Sequence, residues 1–155
     1  MFRLSQALTI VAALAVAGVA HADSFSADAA HSTTNFTISH LTVSKTRGTF
    51  DKFDASWEVD AATRALKSLT LSFDVTSINT KNEKRDKHLR GADFFDVAKH
   101  PTATFVMKKY VQAAPGKGRV IGMLTLHGVT RPIELAAEIS QTIDNPFKAG
   151  KKKIG

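Results

Sequence analysis

Apolar and polar residues alternate along most of the chain after residue 30, the pattern of strands with one dry face and one wet face. Leu69-Thr70-Leu71-Ser72-Phe73-Asp74-Val75 keeps strict period two, with its odd positions apolar. Phe53-Asp54-Ala55-Ser56-Trp57-Glu58-Val59 does the same, and Thr34-Asn35-Phe36-Thr37-Ile38 puts Phe36 and Ile38 on one face. Ala103, Phe105 and Met107 alternate with Thr102, Thr104 and Val106; Ile133, Leu135, Ala137 and Ile139 continue the theme. The segment 119–126 departs from it, with Val120, Leu124 and Leu126 on one face and Ile121 and Met123 on the other. Such a strand is covered on both sides, or packs a helix outside and a cavity inside, and its Gly122 predicts a bend or a close approach.

Six strands follow from these patterns, with a short seventh near Ser24-Phe25. Arg47-Gly48, Asp60-Ala61-Ala62-Thr63, Pro115-Gly116-Lys117-Gly118 and His127-Gly128-Val129-Thr130 carry turn chemistry and are expected to separate them. Connections this short predict antiparallel neighbours, a meander or an up-and-down barrel. One helix interrupts the strands. Thr80-x-x-Glu83 reads as a capping box at its start and Gly91 as its C′ stop, with Lys87, His88 and Arg90 in the last turn, where cations suit the helix dipole. Leu89 is its only apolar residue, which predicts an exposed lid at one end of a barrel.

The N-terminus reads differently. Arg3, an apolar run from Leu8 to Val19 and Ala20-His21-Ala22 form the three regions of a cleaved secretory signal peptide over residues 1–22. The run is shorter than the roughly 20 apolar residues of a membrane-spanning helix. The remaining residues, 23–155, make one domain with a core of its own. There is no cysteine, so an exported chain of this kind holds by packing alone and carries no lipid-modified cysteine. The net charge is +7, including Arg3. Cations and carboxylates are interspersed, and an exported protein argues against nucleic acid as the partner. Only Lys151-Lys152-Lys153 forms a basic run, read as a solvated tail. Export and solubility together place the protein in a periplasm.

Several motifs occur in order: His31-Ser32 and Asn35-Phe36-Thr37-Ile38-Ser39-His40; Gly48-Thr49-Phe50-Asp51-Lys52-Phe53; Ser77-Ile78-Asn79-Thr80; Arg85-Asp86-Lys87-His88-Leu89-Arg90. Asp93-Phe94-Phe95-Asp96 with His100-Pro101-Thr102-Ala103-Thr104-Phe105 follows, and 122–130 closes the set. In these motifs the chain resembles the YceI-like family of exported, polyisoprenoid-binding proteins. The resemblance implies an all-β, antiparallel, lipocalin-like barrel with one short helix and an elongated apolar cavity. Its implied ligand is an isoprenoid lipid of quinone or polyprenyl type, or another amphiphile. It brings no catalytic residue, cofactor or metal. It also implies about two strands, or about 30 residues at ordinary lengths, beyond 145–147. The chain stops at Gly155, so the barrel is expected to lack its last one or two strands.

Candidate binding residues follow from both lines. The apolar inward set is Phe36, Ile38, Phe53, Trp57, Leu71, Phe73, Phe105, Met107 and Leu124, with Phe94 in the loop that covers one end. Alternation by itself fits a filled core better than a lipid tunnel; the resemblance reverses that preference. Arg85, His88 and Arg90, with His31, are candidates to meet a phosphate or carboxylate head group at the barrel mouth. Helix surface is the alternative for these cations. The histidines lack H-x-x-x-H or carboxylate spacing, so no metal site is expected. Asp86, His88 and Asp93 lack a matched nucleophile. A lipid carrier is therefore expected; an enzyme acting on lipid in the same cavity and a ligand-free structural or stress-related protein remain the alternatives. Transient membrane contact and a homodimer through an open sheet edge after Ile139 are further expectations.

Overall fold

The computed structural model describes residues 22–40, 43–144 and 152–154. The signal peptide expected over residues 1–22 lies outside the described residues except for Ala22, which belongs to the first strand. The strands are β1 (Ala22–Ser26), β2 (Asn35–His40), β3 (Ser44–Phe50), β4 (Phe53–Asp60), β5 (Leu66–Asp74), β6 (Ile78–Asn79), β7 (Thr102–Ala114), β8 (Lys117–Leu126), β9 (Val129–Glu138), β10 (Ile143–Asp144) and β11 (Lys152–Lys153). One helix, α1 (Glu83–Arg90), stands between β6 and β7.

These strands form a six-stranded antiparallel sheet in the order β1-β4-β5-β7-β8-β9, a three-stranded sheet β2-β3-β6 and a short β10–β11 pair. Among the described residues the chain is mostly antiparallel β with one short helix, and the large sheet does not close into a barrel. β1 and β9 are its edges. The small sheet meets the large one where Phe50 of β3 packs against Phe73 of β5, ring centroids 5.9 Å apart.

Several local expectations need correction. Arg47-Gly48 is no turn: it lies inside β3, where Gly48 faces Phe36 across the β2–β3 ladder. A Cβ on Gly48 would stand 2.4 Å from the tip of the Phe36 ring, so that position must be bare. Period-two reading missed β3 because Ser44-Lys45-Thr46-Arg47-Gly48 has no apolar side chain to alternate. Lys117-Gly118 and Val129-Thr130 likewise belong to strands. The true β8–β9 turn is His127-Gly128, both at positive φ (50° and 71°), as a two-residue hairpin with matched twist requires. Lys152 is no free tail residue. It pairs with Asp23 at 2.7 Å, and Ile154 packs on the core.

The core fills one end of the large sheet. Val59, Leu66, Phe105, Val120 and Ile139 are buried there. Trp57, Leu71, Met107, Leu124 and residues of β9 pack around them. Gly122 is the close approach its sequence position predicts: a Cβ there would meet the Phe105 ring at 2.4 Å. The ring thus lies on bare backbone of β8. The β4–β5 turn closes this end. Asp60 accepts hydrogen bonds from the Ala62 and Thr63 N–H groups and the Thr63 hydroxyl. Those bonds, with Lys67 beside it, hold its carboxyl at about 2.

Candidate functional site

At the other end the two sheets stand apart. Between them lies a cavity of about 580 Å³, within the range of small-molecule sites. Its walls come from four parts of the chain. The large sheet contributes Phe73, Ala103, Leu124 and Leu126. β2 and β3 contribute Phe36, Ile38, Thr46 and Phe50, and β6 contributes Ile78. Thr80, Arg85, His88 and Leu89 come from α1 and the segment before it, Phe94 and Phe95 from the loop after it. Phe50 is the aromatic hub, with ring centroids of Phe36, Phe73 and Phe95 5.5, 5.9 and 6.3 Å away.

The helix is held over this cavity by polar bonds rather than by an apolar stripe. Its buried side chain is Asp86, which accepts from the Thr80 N–H at 2.9 Å and the Thr80 hydroxyl at 2.5 Å. Arg85 donates from Nε to the Thr80 hydroxyl oxygen at 2.7 Å and from Nη2 to the Thr80 carbonyl at 2.8 Å. Arg90 donates to the carbonyls of Thr76 and Ile78. Thr80 is therefore a buried hinge-pin and not the N-cap. That role falls to Asn82, whose side chain accepts from the Arg85 N–H. Gly91 ends the helix in an extended conformation (φ −69°), so no left-handed C′ glycine is present. An N-cap decided by two competing polar side chains, three residues apart from acceptable partners either way, is not settled by spacing.

The loop 91–101 is tied at both ends. The Phe95 N–H donates to the Leu89 carbonyl at 3.0 Å, and the Val97 N–H to the Arg90 carbonyl at 3.2 Å. The Phe95 carbonyl accepts from His127 Nδ1 at 2.9 Å, which makes that nitrogen the protonated one. His100 packs against the same turn, its ring centroid 4.9 Å from that of His127. Lys99 donates to Asp96 at 2.8 Å and, aided by the two histidines, lowers the Asp96 carboxyl below the usual range.

The candidates from the sequence separate cleanly. Phe36, Ile38, Phe73, Phe94 and Leu124 line the cavity, with Arg85 and His88. Phe105 is fully buried in the core, and Trp57, Leu71 and Met107 pack around it, Trp57 stacked on Phe25. Phe53 pairs with Phe73 but lines a shallow polar depression with Lys52, Asp74 and Pro101. His31 is exposed and bonded to Asp28 in a turn before β2, away from the cavity. Arg90 is committed to its two carbonyls. Sequence reading missed Phe50, Ile78, Phe95, Leu126 and the small Ala103. Phe50 and Ile78 lie in motifs already singled out, but their strands lack alternation. Among the described residues no group of three or more His, Cys, Asp or Glu side chains is placed to hold a metal.

A family model of the YceI-like domain matches residues 25–154. The chain belongs to the YceI-like family. A UPF0312 protein of Vibrio cholerae is 36% identical to this YceI-like chain over 149 residues, which cover 95% of this chain and 79% of that protein. Among solved structures, the Campylobacter jejuni YceI protein is 39% identical with a TM-score of 0.68, over 83% of this chain and 74% of that one. A polyisoprenoid binding domain from Saccharophagus degradans shares the fold at 23% identity and a TM-score of 0.51, over 70% of this chain and 63% of that domain.

Proposed function

We propose that this protein is a secreted, periplasmic carrier that holds the chain of a long amphiphilic lipid, isoprenoid in type, between its two sheets. The observation that carries this reading is a cavity of about 580 Å³ walled by aromatic and aliphatic carbon. Packed interiors leave few voids, because lining atoms facing a void lose dispersion contacts. An apolar chain restores those contacts and leaves water, at about 0.8 kcal/mol per CH₂. Arg85 and His88 stand where a polar head group would remain and orient the ligand. The choice of an isoprenoid over another apolar chain comes from the family resemblance, and export from the leader sequence. The lining described above belongs to a single chain, so the reading requires no dimer.

The test is titration of delipidated protein with isoprenoid quinones, polyprenyl phosphates and fatty-acid derivatives. Saturable binding is expected; its absence for all three sinks the proposal. Native mass spectrometry of freshly purified protein should find a co-purifying lipid. Ligand mass unchanged after incubation separates a carrier from a lipid-modifying enzyme.

A further inference from the structure

We infer that the rim of the cavity mouth and the outer face of α1 dock together on an anionic phospholipid bilayer, so that the cavity opens toward the membrane. The inference rests on the carrier reading and adds the surface from which the ligand is taken or to which it is delivered. Ile38 and Phe94 line the cavity and yet are 58% and 48% exposed. Side chains that do both must stand at its opening. Val43, 89% exposed, sits at the tip of the same β2–β3 hairpin, one residue before the Ser44 that pairs with His40. Single exposed apolar residues are ordinary on a protein surface; two lining one opening, with a third exposed in the turn of the strand pair that carries Ile38, are not.

The helix adds charge to this rim. At 3.6 residues per turn, Asp86, Leu89 and Arg90 share its inner face, while Lys84, Lys87 and His88 share the outer one. Lys84 and Lys87 line a shallow depression that shares Arg85 and His88 with the cavity mouth, which joins the basic surface to the apolar rim. His88 also meets the Phe94 ring edge-on at 4.8 Å. The acidic groups nearby are Glu83, exposed at the start of the helix, Asp86, buried and held by Thr80, and Asp93, 3.7 Å from His88. Among the described residues Lys84 and Lys87 form no ion pair, while Arg85 beside them is held by Thr80. Unpaired cations beside exposed apolar side chains are what interfacial binding uses: the apolar part enters the acyl boundary, and the cations meet lipid phosphates. Each Lys or Arg near an anionic membrane surface strengthens partitioning by about fivefold. A carrier seated this way passes an insoluble chain between bilayer and cavity without exposing it to water.

The test is co-flotation of the protein lacking residues 1–22 with phosphatidylglycerol–phosphatidylcholine vesicles and with phosphatidylcholine alone. Binding is expected to the mixed vesicles, weakening as salt rises, and not to the neutral ones. The double variant Lys84→Glu/Lys87→Glu should lower vesicle partitioning by about tenfold or more. Val43→Ser should lower it by a smaller factor. None of these three residues lines the cavity, so all variants should bind a dansyl fatty acid in solution as the parent does. No flotation of the parent, or equal flotation of parent and double variant, overturns the docking inference while leaving the carrier reading intact. Failure of the parent to bind the dansyl probe counts against the carrier reading itself.

Discussion

The two ends of the large sheet are built from the same strands and the same alternation, yet one is solid and the other hollow. On β7 the inward residues are Ala103, Phe105 and Met107. Phe105 sits opposite Leu71 and Leu124, and its ring fills the space over Gly122. Two residues earlier, Ala103 faces Phe73 with only a methyl group, and the space is empty. The covering layer differs as well. At the solid end, Ile139, Ile154 and the β9 side chains close on the core. At the hollow end, the cover is the small sheet, a helix anchored by Asp86 and Thr80, and the Phe94-Phe95 loop. Polar anchors hold a roof at a distance, whereas apolar side chains draw it down until the space is filled.

The largest test of this contrast compares phenylalanines. Phe105→Ala should cost about 3–5 kcal/mol in urea unfolding, as expected for a fully buried ring. Phe73→Ala, beside space that is already empty, should cost under about 2 kcal/mol. Equal losses would mean that the two ends are packed alike. Next, Asp86→Ala should cost about 1–3 kcal/mol, because it strands the buried Thr80 N–H and hydroxyl. The same variant should weaken lipid binding by loosening the roof, while Asp86→Asn, which keeps an acceptor oxygen, should do less of both. Ala103→Phe would make the hollow end resemble the solid one. Stability should change by less than about 1.5 kcal/mol, since the ring enters open space, but binding of a dansyl fatty acid should disappear. Retained binding would show that the ligand lies elsewhere.

The smallest effect is one of pH. Asp60 at the solid end titrates at about 2 in the fold instead of its ordinary 3.8, because Thr63 donates to it. A depressed carboxyl stabilises the fold above its ordinary value. That contribution should fall away as pH drops from about 4 toward 2, and Asp60→Asn should flatten this part of the stability profile. Asp96 at the hollow end is lowered in the same sense by Lys99. Acid should thus also remove the Asp96–Lys99 pair within the loop that carries Phe94 and Phe95, and lipid binding that weakens at a pH where the core remains folded would show that this pair supports the cavity.

Alternation was legible because it is a local property. Leu69 to Phe73, Ala103 to Met107 and the two-sided run at 119–126 announce strands, and with the ordered motifs they announce the family. β3 was not legible, since it pairs through its backbone and lines the cavity with Thr46 and Phe50 alone. Nor was the division of Phe36, Ile38, Phe73 and Leu124 from Phe53, Trp57, Leu71, Phe105 and Met107. All of them lie at inward positions of strands, and period two says which face a residue takes but not what stands opposite it.

The sequence by itself determined the antiparallel strands, the single charged helix and the Phe-rich loop after it, because backbone hydrogen bonding, capping and side-chain alternation act over a few residues. Tertiary structure decided that Phe105 fills a core while Phe73 walls a cavity. It also decided that Thr80 anchors the roof rather than capping the helix, and that Ile38 and Phe94 share a mouth with Arg85 and His88. Those outcomes depend on distances between segments far apart in the chain, set by how two sheets and a helix settle on one another.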